Sequence, residues 1–94
     1  MRESKVEGHL VKRVQAQGGE VRKVKWIGRR GAPDRVVMLP DVLFWVETKA
    51  PTGALKVHQA REHERMRAMG QVVHVAYTIE EVDALMDQYE RAPI

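Results

Sequence analysis

Three residues could act together on a phosphate ester: Asp34, Glu47 and Lys49. They bracket two apolar runs, Arg35-Val36-Val37-Met38-Leu39 and Val42-Leu43-Phe44-Trp45-Val46-Glu47-Thr48-Lys49, split by Pro40-Asp41. If the runs pair as a hairpin with Leu39 facing Val42, the pairing carried outward sets Asp34 opposite Glu47. A two- or four-residue turn gives this register and a three-residue turn breaks it. Opposed residues share a face with Cβ atoms ~4.5–5.5 Å apart, and Lys49, two residues past Glu47, points the same way. Two carboxylates ~5 Å apart repel by about 3 kcal/mol at an effective dielectric of ~20. A bound cation or a shared proton relieves such a pair. Oxygen donors without sulfur favour Mg²⁺ or Mn²⁺. A lysine beside them can hold a phosphate oxygen, or position and deprotonate a water. Together they form a plausible site for phosphodiester hydrolysis.

Each residue also has an ordinary use. Asp34 follows a proline in a Gly-rich loop, where Asp forms turns, and Glu47 and Lys49 could be an exposed strand-end pair. Glu7 fits a capping box as the partner of Ser4, and Gln59 fits a solvated helix position. His9, His58, His63 and His74 read as surface or packing residues rather than ligands. Trp26 and Trp45 read as core, and Arg61, Glu62, Glu64, Arg65 and Arg67 as a solvated helix face. The shared face lifts Asp34, Glu47 and Lys49 together above these separate readings.

Positioning that face requires the rest of the chain. Ser4-Lys5-Val6-Glu7 opens a helix with Val6, Leu10, Val11 and Val14 at helical spacing, ended by Gly18-Gly19. Val21–Ile27 reads as a strand, followed by a loop through Gly28, Gly31 and Pro33. The two apolar runs are central strands covered on both sides. Lys56–Met69 is a second helix, Gln71–Tyr77 a fourth strand, and Thr78-Ile79-Glu80-Glu81 caps a last helix through Val82, Leu85, Met86 and Tyr89. The order αβββαβα predicts an α/β fold, a mixed central sheet flanked by helices, in one domain over residues 1–94.

Composition narrows the partners. The chain has 94 residues, 44% hydrophobic and 31% charged, the mixture of a globular protein. The absence of cysteine rules out thiolate zinc sites, disulfide scaffolds and cysteine nucleophiles. No apolar run approaches the ~18–20 residues of a membrane span, and the N-terminus lacks a signal-peptide pattern. The expected address is therefore a cytoplasm, without secretion. Residues 1–30 hold nine Lys/Arg against three Glu, a net +6, and residues 31–94 hold seven against ten acids, a net −3. That asymmetry suits a polyanion met on one side. Arg2, Lys5, Lys12, Arg13, Arg22, Lys23, Lys25, Arg29 and Arg30 are the candidate phosphate contacts, which set affinity rather than sequence choice.

Gly31-Ala32-Pro33-Asp34, followed after twelve residues by Glu47-Thr48-Lys49, resembles the PD-(D/E)xK nuclease signature. With Glu7 in the first helix and Gln59 in the helix after the lysine, the chain is similar to the VRR-NUC branch, in particular its short stand-alone phage members. The resemblance covers about Glu3 to Thr78. It implies a PD-(D/E)xK-like αβββαβ core and a metal-dependent endonuclease. In that reading Asp34, Glu47 and the Thr48 carbonyl bind Mg²⁺, with Mn²⁺ able to substitute. Lys49 orients or activates water, Glu7 is a further carboxylate near the metal, and Gln59 supports the site. The same resemblance implies a homodimer acting on branched DNA such as four-way (Holliday) junctions, without a small-molecule cofactor, in a bacterial host's cytoplasm. A flap or duplex nickase and a non-catalytic nucleic-acid binder are the alternatives. The dimer is also expected because Trp26, Trp45, Met86 and Tyr89 look like more bulk than a thin core covers.

Overall fold

Val6, Leu10 and Val14 lie one helical turn apart and are all fully buried, the stripe that makes α1 (Glu3–Ala16) amphipathic. The structure, a computed structural model, describes residues 3–90; Arg2 lies outside them. α1 already includes Ser4, so the expected capping box at Ser4 does not form, and Glu7 turns to Arg35 instead. The helix ends where Gly19 N–H reaches back to the Val14 carbonyl at 2.9 Å.

The elements that follow are β1 (Glu20–Lys23), β2 (Arg35–Leu39), β3 (Val42–Thr48), α2 (Val57–Ala68), β4 (Val73–Ala76) and α3 (Ile79–Asp87), in the order read from the sequence. They build one sheet, β1-β2-β3-β4, antiparallel except for the parallel β3–β4 pair. Pro40-Asp41 makes a two-residue turn, and the ladder runs from Leu39↔Val42 to Arg35↔Val46. Asp34 and Glu47 are the residues that follow the last rung on the two strands.

Val37, Phe44, Val46 and Ala76 meet α1 and α3 in a single apolar core with Val82, Leu85 and Met86. Met86 is fully buried, and Tyr89 stacks on Phe44 with centroids 4.2 Å apart. Neither is surplus bulk awaiting a partner, which removes part of the sequence argument for a dimer. On the opposite face α2 packs against β4, and Leu43 is 52% exposed. The central strands are thus fully covered on one face and partly on the other.

The first strand is shorter than expected. Pairing continues one bond past Lys23, Val24 N–H to the Asp34 carbonyl at 2.9 Å. The chain then turns away as Trp26 Nε1 donates to the Pro33 carbonyl at 2.8 Å, leaving Ile27 95% exposed. At α3 the Thr78 hydroxyl accepts from Glu81 N–H at 3.0 Å, and the Glu81 carboxylate accepts from Tyr77 N–H at 2.8 Å. α1 and α3 are also clasped by charge. Asp83 takes His9 at 2.7 Å and Arg13 at 2.5 Å, while Arg13 also holds Asp87 at 2.8 Å. His9, then Arg13, holds the Asp83 carboxyl below its ordinary range. Arg13 is committed to this clasp, which corrects its reading as a phosphate contact.

Candidate active site

β3 carries Glu47 on the face opposite the main core. Glu47 is buried, with Lys49 Nζ 4.0 Å from Oε2 and His63 Nε2 3.8 Å from Oε1. Lys49 follows the end of β3, tethered to β4 by its N–H bond to the Ala76 carbonyl at 2.9 Å. Thr48 is buried on the last rung, paired with Ala76.

Asp34 is delivered by the loop after Trp26, and Gly31 explains how that loop can sit where it does. Its φ is +89°, a region that L side chains avoid, and a Cβ there would lie 2.6 Å from the His58 carbonyl. Only glycine lets the loop backbone lie against the first turn of α2. Asp34 Oδ2 then meets Arg35 Nη1 at 3.0 Å.

Sequence reasoning misses Arg35, yet it links two of the candidates. Its guanidinium contacts Glu7 Oε1 through Nη2 at 2.5 Å and Nε at 2.7 Å. Burial opposes its charge, but Glu7 and Asp34 outweigh that and raise its pKa above the ordinary value. The legible signal is its position. Opposite Val46 and on the same face as Val37, it is a cation in an apolar row, which needs a carboxylate from the helix above. Each carboxylate of the opposed pair therefore has a nearby basic side chain, Arg35 for Asp34 and Lys49 for Glu47. The repulsion expected from the sequence is offset within the protein.

Gln59 is engaged at the start of its own helix. Its side-chain oxygen accepts the Lys56 N–H at 3.0 Å and closes the first turn of α2. Glu62 corrects the solvated-face reading of α2: it is buried, paired with Arg65 at 2.8 Å and with Arg29 at 3.5 Å. Arg61, Glu64, Arg65 and Arg67 are exposed as expected. His63 is fully buried, its pKa lowered first by burial and then by Arg67. Trp26 and Trp45 are half-buried outside the core cluster, paired with centroids 5.2 Å apart.

Beside Asp34 opens a groove of about 570 Å³ lined by Lys23, Val24, Lys25, Trp26 and Arg29. Three of the expected phosphate contacts are thus brought to one candidate carboxylate. Arg22 and Arg30 are exposed nearby in sequence, with Arg22 on Glu20 at 2.8 Å. Lys5 and Lys12 are not part of this groove; they line a separate one on α1 with Gly8, His9 and Ile79.

The donor set suits a hard cation. It offers two carboxylates on adjacent strand ends, a neighbouring main chain and no sulfur, and the described residues hold no group of three or more His, Asp or Glu in ligating range. Mg²⁺ is commonly held by one or two carboxylates plus substrate oxygens and water.

No family profile matches the sequence. Comparison with known proteins finds 45% identity over 76 residues to "Putative nuclease p44" of Acyrthosiphon pisum secondary endosymbiont phage 1, covering 80% of this chain and 82% of the relative. A solved structure described as "VRR_NUC domain" superposes with a TM-score of 0.84 at 41% identity, covering 94% of this chain and 97% of the other.

Proposed function

The chain belongs to the VRR-NUC nucleases, and from that premise we propose that it is a divalent-metal-dependent, structure-selective DNA endonuclease acting on branched DNA, four-way junctions above all. The observation that carries this reading is the juxtaposition at one end of the β2–β3 hairpin. Asp34 and Glu47 each lie one residue beyond the last paired rung, Arg35↔Val46, Lys49 is 4.0 Å from Glu47, and a groove with three cations begins at Asp34.

Mg²⁺ or Mn²⁺, held by Asp34, Glu47 and the Thr48 carbonyl, would supply Lewis-acid polarisation of the scissile phosphate. Lys23, Lys25 and Arg29 bind the strand through its phosphates and fix its register without reading sequence. Lys49, one side-chain length from Glu47, orients the attacking water. Arg35 keeps Asp34 in place, and Glu7 keeps Arg35 in place.

Among the described residues nothing resembles a base-reading helix set into a groove, which favours recognition of DNA shape. A chain with one such site needs a second copy, related by a two-fold axis, to cut a junction symmetrically. The test is purified protein with Mg²⁺ or Mn²⁺ on junction, flap, splayed and linear DNAs, with light scattering on the same sample. Paired, symmetric nicks on the junction by a dimer support the reading. A monomer that nicks flap or plain duplex equally well replaces it with the nickase, and binding without cleavage replaces it with a binding module.

A further inference from the structure

His63 is an imidazole beside Glu47 that this chemistry leaves without a task. It is fully buried on α2, and neither Nδ1 nor Nε2 has a hydrogen-bond partner. A neutral imidazole carries one donor and one acceptor, and buried polar atoms normally find partners. The Gly31 backbone lies nearby but outside hydrogen-bonding geometry. Among side chains, the ring approaches Oε1 of Glu47, 3.8 Å from Nε2, which is beyond a hydrogen bond but within reach of a small side-chain adjustment. Lys49 approaches the other oxygen of the same carboxylate at 4.0 Å.

We propose that His63 is a positioning residue for Glu47, donating from Nε2–H to Oε1 and holding the carboxylate in the orientation that receives the divalent cation. The inference rests on the metal reading of Asp34 and Glu47. From the buried side of the carboxylate, opposite the oxygen that Lys49 approaches, the ring can direct Glu47 without occupying a ligand position itself. Hydrogen-bonding partners behind metal ligands commonly orient the ligand in this way.

Mn²⁺ titration followed by electron paramagnetic resonance of the free ion tests this on wild type, His63→Met, His63→Gln and Asp34→Ala, with metal-free melting curves for each. His63→Met should weaken Mn²⁺ binding roughly 10–100-fold, the usual loss for a partner behind a ligand. His63→Gln keeps an N–H donor at similar reach and should restore most of that affinity. Long-range ¹H–¹⁵N spectra of the wild type should show the Nε2–H tautomer with and without Mg²⁺.

Unchanged affinity in His63→Met, a Gln variant no better than Met at equal melting temperature, or an Nδ1–H tautomer would each overturn the proposal. Should His63→Met not fold, the Gln variant and the tautomer decide: wild-type-like affinity with Nε2–H supports the role. A Gln affinity as poor as that of Asp34→Ala overturns it. A wild type that binds no Mn²⁺, or binding that Asp34→Ala leaves intact, would instead overturn the metal reading and this proposal with it.

Discussion

Replacing Arg35 with Met should unsettle the fold and the site together. Arg35 is 11% exposed, Glu7 30% and Asp34 51%, so the pairs fall between two regimes. Breaking a buried pair costs about 3–5 kcal/mol, because the partner is stranded without water. Breaking an exposed one costs about 0–1 kcal/mol. Here the stranded carboxylates can rehydrate, Asp34 more readily than Glu7. We therefore assign ~1–2 kcal/mol to the Glu7 contact and under ~1 kcal/mol to Asp34, about 2 kcal/mol in all. For a domain of this size that lowers Tm by roughly 8–16 °C. A double-mutant cycle with Glu7→Gln isolates the first contact, and repetition at about 1 M salt, where the Debye length is ~3 Å, tests its burial. Most of the coupling should persist. A coupling energy below about 0.5 kcal/mol, within the scatter of additive pairs, would refute the claim that Arg35 ties α1 to the site.

Other outcomes follow from the same geometry. Lys49→Ala and Asp34→Ala should each lower junction cleavage at least ~100-fold while leaving the circular dichroism spectrum unchanged; near-wild-type rates in either would remove the site assignment. Alanine at Lys23, Lys25 and Arg29 should flatten the log–log salt dependence of DNA binding by roughly 1 for each phosphate no longer neutralised, whereas Lys5→Ala with Lys12→Ala should not. Burial, then Arg67, depresses the pKa of His74 below its ordinary 6.5, so its contribution to stability is complete above that pH and drains away as pH falls through the lower, folded value. Wild type should lose stability below pH 6.5 with His74 contributing up to about 1.4 kcal/mol per pH unit, and His74→Gln should remove that contribution in pH-dependent melts. Gly31→Ala should reduce Tm and cleavage together, since both its φ and the His58 carbonyl forbid a Cβ; an unaltered melt would contradict the close approach.

The hairpin is legible in the sequence because side-chain alternation is a property of the chain itself. Once Pro40-Asp41 closes a two-residue turn, the register carries Asp34 and Glu47 to matching positions just past the last paired rung. The positions of Val6, Leu10, Val14, Val82, Leu85 and Met86 are readable from helical spacing alone. What cannot be read depends on how the faces come together. Glu62 has the composition of a surface residue and is buried only because Arg29 and Arg65 meet it there. Trp26 ends the first strand through a bond to Pro33, which local patterning does not encode. Gln59 closes the first turn of its own helix through the Lys56 N–H, a local bond that spacing alone leaves open.

The mixed sheet separates the site into parts made at different times. Asp34, Glu47 and Lys49 ride on a hairpin with a two-residue turn, the most local pairing in the chain, while His63 arrives on the helix that crosses over to parallel β4. Local hairpins close in microseconds and crossover pairings come later. The two carboxylates therefore approach each other while still bathed in water, where their repulsion is about 1 kcal/mol or less. On that order, docking of α2 would lower the surrounding dielectric with Arg35 and Lys49 already beside them. Substitutions in the hairpin should accordingly slow folding, and those where α2 docks should mainly hasten unfolding.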